Sequence, residues 1–418
     1  MQIHQKTEPQ QPNSVWGQLT AAPHRIMFFS GALQLVIPVI LWAIELIGRY
    51  TQLWSTLDTL VPTTWAHGFV MIYGVFIFFI YGFLMTTYPR WMNGPLVMRE
   101  AYTSAAIWLN VGLWMFEIGI FFSTSLTFSG LGIFLFGWLL GQFSLFRVYQ
   151  SAPTRDKTYE TLLNFALLGG MSGVGSFLGW VMTDDWLYVI YALNAGIWLF
   201  LIPVLFTVSH RMIPFFSSNV IEDYSVFQPR WSLALMLTGC VIHLLLQLNY
   251  LIEWLFVVDL PMALVAWYHS YRWGLRRSLD NKLLAVLHIG FVWLGIGLAL
   301  FSVQSLYLQF NAALILGKAP LHAITIGFVS SMLIAMASRV TLGHSGRALH
   351  LDTLSWWLFI GLQVTAILRV LADVNQLSSL AGLSLNVLAA LTWVLVLGAW
   401  VIRFAPIYLR ARIDGKPG

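Results

Sequence analysis

The sequence predicts an all-α fold, a polytopic membrane bundle of about twelve transmembrane helices with both termini in the cytoplasm. Three observations predict it. Of 418 residues, 58% are hydrophobic and only 9% are charged, against ~25% charged in soluble domains. The apolar residues come in blocks of roughly 18–24, each long enough to cross a ~30 Å hydrocarbon core. The basic residues gather in alternate loops.

The blocks run over about 26–47, 66–88, 103–123, 128–148, 161–181, 186–208, 231–249, 254–271, 283–302, 319–341, 354–374 and 384–406. They are continuous rather than alternating, which favours helices over barrel strands. Trp, Tyr and Pro cluster at block ends, as at Tyr88-Pro89-Arg90-Trp91, where an interfacial belt belongs. Together they make a single transmembrane domain over 23–410, between a disordered cytoplasmic tail at 1–22 and a cytoplasmic tail at 411–418. The first 24 residues are polar and Gln/Pro-rich, so no cleavable signal peptide is expected. Neither an internal repeat nor the broken helix pair of an inverted-repeat transporter is evident.

Walking the loops in order fixes the orientation. The first loop carries Arg49 alone, and the second carries Arg90 and Arg99. Every second loop thereafter is basic: Arg147, Arg155 and Lys157; Arg211 and Arg230; Arg272, Arg276, Arg277 and Lys282; Arg339 and Arg347. With Lys6, Arg25, Arg403, Arg410, Arg412 and Lys416 at the termini, 19 of the 22 basic residues share one side. Arg49 and Lys318 fall on the other, and Arg369 sits near the end of the eleventh block. The basic side is therefore cytoplasmic, as in a multi-pass protein of the bacterial inner membrane. This placement, rather than nucleic-acid binding, accounts for the net charge of +5. A single cysteine, Cys240, excludes an intrachain disulfide and any Cys-based zinc or iron–sulfur site.

Histidine within an apolar helix is costly and usually faces the bundle interior. Of ten histidines, His4 and His350 are expected to be solvated. At ~1.5 Å per residue, His67 opens the second helix, His322 opens the tenth, and His243 lies in the same periplasmic half. His24, His210, His269, His288 and His344 gather toward the cytoplasmic side. The sequence thus supplies two histidine clusters, one per face. Neutral imidazole suits haem iron and copper, although an interhelical hydrogen bond is the plainer role for any one of them alone. Glu45, Glu117 and Asp259 also lie in apolar blocks. Glu45 sits near a helix end and reads as structural, whereas Glu117 and Asp259 are divided between paired structural charge and a proton relay. Arg25, Arg211, Arg339 and Arg347 adjoin the cytoplasmic histidines. They are either positive-inside charge or partners for an anion or haem propionates.

Several motifs resemble the NnrS family of haem- and copper-containing membrane proteins linked to nitric oxide. The clearest runs from Pro320-Leu321-His322-Ala323 through Met336-Ala337-Ser338-Arg339-Val340 to Leu342-Gly343-His344-Ser345-Gly346-Arg347. Leu287-His288-Ile289-Gly290-Phe291-Val292-Trp293, Arg211-Met212-Ile213-Pro214-Phe215-Phe216, and Pro23-His24-Arg25 with Phe28-Phe29 are also similar to family segments. The likeness spans almost the whole chain. It departs at the second helix, where His67-Gly68-Phe69-Val70-Met71 keeps only the first histidine of a His-x-His-Glu pattern. The same stretch is similar to the second helix of haem–copper oxidase and nitric-oxide-reductase catalytic subunits, whose second and tenth helices bear haem ligands. The histidine pairs of their seventh and tenth helices are missing here, so their standard binuclear centre is not expected.

The resemblance implies a haem-binding, copper-associated protein handling nitric oxide or its products in denitrification or nitrosative-stress defence. It also admits a haem-dependent nitric oxide oxidoreductase served by a separate electron donor. On this reading His67 and His322 hold a haem, b-type by expectation, and His288 with His24, His210, His269 and His344 forms the cytoplasmic-side metal site. A transporter of a metal, haem or small anion, and a structural partner in a respiratory complex, remain open alternatives.

The orientation is testable with single cysteines at Thr59 and Asp156. Labelling from outside intact spheroplasts is expected to reach Thr59→Cys and to miss Asp156→Cys; the reverse pattern inverts the topology.

Overall fold

The computed structural model describes residues 14–374, 379–380 and 383–415. Twelve helices within it are long and apolar enough to cross a membrane. In order they are Pro23–Thr51, Thr63–Trp91, Arg99–Phe122, Thr124–Ser151, Thr158–Thr183, Trp186–Ser218, Arg230–Leu248, Ile252–Arg272, Lys282–Asn311, Ala319–His344, Thr353–Leu371 and Leu385–Tyr408. The expected all-α bundle is thus observed. A two-residue antiparallel ladder, Ser379–Leu380 with Leu383–Ser384, leads into the twelfth span.

Most spans run past the apolar blocks that announced them, because a helix continues through the polar residues at its ends. Several spans start on a side-chain cap, which supplies an acceptor to a backbone N–H that has no intrahelical partner. Ser123, Asp185, Asn281, Asp352 and Ser384 each accept from a backbone N–H of the span that follows. Within the expected tail at 1–22, Val15–Leu19 forms a short helix, and Thr20 accepts from the Arg99 guanidinium. Residues 1–13 lie outside the described part.

The spans pack largely as sequence neighbours: first with second, third with fourth, fifth with sixth, eighth with ninth, ninth with tenth, eleventh with twelfth. The twelfth also lies against the first, which closes the bundle. The second and tenth are the most enclosed of the twelve. The first span bends at Leu35–Val36, just before Pro38, whose missing N–H interrupts the helix ladder. The indole N–H of Trp393 donates to the Leu35 carbonyl at 2.8 Å, so the bend leaves that group bonded. Three spans open into wide π-helical turns: Val70–Val75 in the second, Gly196–Leu201 in the sixth, and Ala323–Ser330 in the tenth. The sixth-span turn immediately precedes Pro203, which cannot continue the ladder.

The third and fourth spans touch backbone to backbone. A Cβ placed at Gly119, Gly130 or Gly137 would stand 2.5 Å from the backbone nitrogen of Thr127, Phe116 or Leu109. Glycine permits this approach, and small residues at such seams are how helices associate in lipid. Gly132, in the same fourth span, has nothing within 4 Å of such a Cβ. Gly137→Val is therefore expected to cost about 1–3 kcal/mol through overpacking and to lower the melting temperature in detergent. Gly132→Val should melt like the parent, and equal melting of both variants would contradict the seam.

Candidate functional site

A cavity of about 650 Å³ opens among the spans, lined by His67 of the second and His322 of the tenth. The matched depth read from sequence thus corresponds to a shared space. All three π-helical turns contribute to its wall, through Met71 and Ile72, Ile197 and Trp198, and Thr325 and Ile326. A π-turn widens the helix locally and is common where a side chain must be re-aimed at a ligand. Trp42, Trp65, Trp198, Trp393, Phe76 and Phe301 give the cavity an aromatic lining.

The two imidazoles are held differently. His322 Nδ1 donates to the Lys318 carbonyl one turn back at 2.9 Å. A carbonyl can only accept, so the proton sits on Nδ1 and the lone pair on Nε2. Asp373 Oδ2 stands 3.8 Å from the same Nδ1. A hydrogen bond of this kind is how proteins orient a metal-ligating histidine. His67 instead stacks on Trp42, with ring centroids 4.1 Å apart and planes 8° from parallel. Among the described residues no protein group hydrogen-bonds its ring.

Three basic residues line the cavity: Arg49, Lys318 and Arg369. They are the three that fell outside the basic side of the sequence. Arg49 Nε meets Glu45 Oε1 at 2.6 Å, and Glu45 Oε2 accepts from the Leu57 N–H at 2.7 Å. Glu45 is structural, as its position suggested. Arg369 Nη1 meets Asp373 Oδ2 at 2.7 Å. None of Arg25, Arg211, Arg339 and Arg347 lines this cavity. Arg25 caps the twelfth span instead, donating to the carbonyls of Ile407, Tyr408 and Arg410. Arg211 pairs with Glu160 at 3.1 Å and lies over the rings of Trp91 and Tyr159. Arg339 covers Phe216. Arg347 borders a separate 260 Å³ pocket with His350, Asp352, Arg403 and Arg410.

The five histidines of the opposite side do not meet at one centre. They divide into two pairs and one single residue. His24 and His344 lie with ring centroids 4.8 Å apart. His344 donates from Nδ1 to the Val340 carbonyl at 3.0 Å, and its Nε2 accepts from Arg90 at 3.3 Å. His210 and His269 share the Ser232 hydroxyl, at 3.2 and 3.0 Å. Tyr159 donates to His210 Nδ1 at 2.9 Å, and His269 Nδ1 donates to the Val265 carbonyl at 2.8 Å. His288 stands apart, bonded to Ser217 at 3.0 Å. Among the described residues, no three or more His, Cys, Asp or Glu side chains are grouped to hold a metal ion. The single cytoplasmic grouping expected from sequence is not seen among the described residues. Shared loop depth put these residues on one side, but their helices carry them around the bundle.

The two buried acids also part company. Glu117 is buried with Oε1 unpartnered, and it lies outside the cavity wall. Asp259 is fully buried against His243, with Oδ1 and Nδ1 2.7 Å apart. Residue-type reasoning missed Arg49, Lys318, Arg369 and Trp42 as site residues. The signal for the basic three was present as the exceptions to the charge asymmetry.

No curated protein matches the chain. The family model described as NnrS protein matches residues 18–412, nearly its whole length. The chain therefore belongs to the NnrS family, which is generally linked to the response to nitric oxide.

Proposed function

We propose that this protein binds a haem in the 650 Å³ cavity and handles nitric oxide or its products there, in denitrification or nitrosative-stress defence. The observation that carries this reading is the convergence of His67, His322, Arg49, Lys318 and Arg369 on one aromatic-lined space. The volume falls within the ~300–1,000 Å³ usual for small-molecule sites. The donor set fits a haem: imidazole for the iron, aromatic faces for the macrocycle, and cations for the propionates. Bound there, haem iron supplies a coordination position at which nitric oxide can bind.

The two histidines divide the work. His322 is oriented by the Lys318 carbonyl, which leaves the lone pair on Nε2, so it would serve as a fixed ligand. His67 stacks on Trp42 and would be the less rigidly held of the two. On this reading His322 would hold the group firmly and His67 more loosely. Nitric oxide is small and membrane-soluble, so it needs no polar entry path. Copper does not fit in the same way. His210, His269 and His344 already commit their ring nitrogens to protein partners, and among the described residues no third ligand joins either pair.

The protein purified from a bacterial inner membrane is expected to show a Soret band. Its absence would favour transport of a small anion past the same three cations. His322→Ala should lose haem by tenfold or more, the lower end of what disturbing a ligand's support costs. His67→Ala should keep haem and change its spin state, and equal haem loss in both variants would refute the asymmetry. Lys318→Met should weaken haem retention about tenfold, equivalent to ~1.4 kcal/mol, whereas Arg347→Met should not; haemin titration distinguishes them.

A further inference from the structure

We propose that His243 and Asp259 form a proton-loading pair that exchanges protons with the cavity through Gln247. The inference rests on the cavity being the site of bound haem. His243 and Asp259 are both fully buried, one on the seventh span and one on the eighth. Their hydrogen bond spans 2.7 Å. The other imidazole nitrogen, Nε2, lies 3.1 Å from Gln247 Oε1, and Gln247 borders the cavity. The imidazole face also stacks on Trp198 at a centroid distance of 3.4 Å, and Trp198 borders the same cavity. The sequence separates these residues into three spans, and the fold arranges them as one chain ending at the haem space.

The hydrogen-bond chemistry gives the pair two states. With Gln247 Oε1 facing the ring, Nε2 must carry a proton, because two acceptors cannot bond each other. A second proton is then shared between Nδ1 and Asp259 Oδ1. In the other state Nε2 is bare and accepts from the Gln247 amide N–H, after that amide turns over. Loading forms one N–H bond at Nε2 from its lone pair and a proton of the cavity. Unloading breaks that bond, leaves the electron pair on nitrogen, and returns the proton. Nδ1–H stays with the Asp259 carboxylate throughout the unloaded state.

A bond that only fastens two helices would not need this composition. Asp259 Oδ2 is buried with no partner among the described residues, so the carboxylate retains unused acceptor capacity in a dry place. The titratable neighbours are few. Asp259 faces the ring from the eighth span, and the Cys240 thiol lies within electrostatic reach of Asp259 on the seventh. From the sixth and ninth spans the ring meets Trp198 and Phe301. Beside the fixed cations Arg49, Lys318 and Arg369 of the cavity wall, loading this pair would offset negative charge gained in the cavity. His269, further along the eighth span, belongs to the closed Ser232–His210 network and does not extend the chain.

The test is proton uptake on electrochemical reduction of the full haem-loaded chain in nanodiscs, followed with a pH indicator in weak buffer. Asp259→Asn and Gln247→Leu are each expected to lower uptake per bound haem at least twofold. Gln247→Leu keeps the buried pair and cuts only its link to the cavity, so a purely structural pair would not respond to it. If Asp259→Asn fails to fold, Gln247→Leu decides alone. Uptake equal to the parent in the folded variants overturns the pair as a proton-loading site while leaving the haem reading intact. A parent protein with no Soret band after haemin addition overturns the haem reading and this proposal with it.

Discussion

A hydrocarbon interior offers an unpaired backbone N–H or C=O nothing to bond with, and this constraint shapes the whole molecule. It makes helices the default for every span. It also dictates what happens where a helix must depart from regular winding. Pro38 bends the first span, and Trp393 of the twelfth binds the Leu35 carbonyl there. The π-turns at Val70–Val75, Gly196–Leu201 and Ala323–Ser330 widen three spans while keeping backbone bonds within the helix. All three border one cavity. Irregular winding therefore sits where interior space is needed rather than on the lipid-facing surface.

The same constraint sorts the charges. An ion in the bundle persists only with a partner, because desolvating it alone costs several kcal/mol. Arg49 has Glu45, Arg369 has Asp373, and Arg211 has Glu160. These pairs are not equivalent in use. Glu45 is spent on Arg49, Thr63 and the Leu57 backbone. Around the cavity, Arg49 is paired with Glu45 and Arg369 with Asp373, and Lys318 adds a third cation to the same space. That excess suits a ligand carrying carboxylates.

Hydrogen bonding separates the histidines more sharply than depth does. Imidazole can ligate a metal only through a nitrogen lone pair that nothing else occupies. His210 and His269 spend theirs in a closed network with Tyr159 and Ser232, and His344 spends its own on Arg90. His322 is fixed by its Lys318 bond with Nε2 free, and His67 lies flat on Trp42. His243 does neither, bridging a buried carboxylate to an amide on the cavity wall.

The sequence by itself determined the twelve apolar spans, because hydrocarbon thickness fixes how long such a run must be. It also determined that His67 and His322 share a depth, since rise per residue is constant along a helix. Even the cations of the cavity were legible in Arg49, Lys318 and Arg369, the residues that broke the charge asymmetry. Depth, however, says nothing about azimuth. Which face of a span a residue occupies, and which span stands opposite, depends on packing between distant segments. His24, His210, His269, His288 and His344 could therefore be assigned to one side from sequence but not to one centre. Only the tertiary structure separated them, paired His243 with Asp259, and brought His67 and His322 to one cavity. Lone pairs and angles around the bundle axis are set by those contacts, and no count along a single chain contains them.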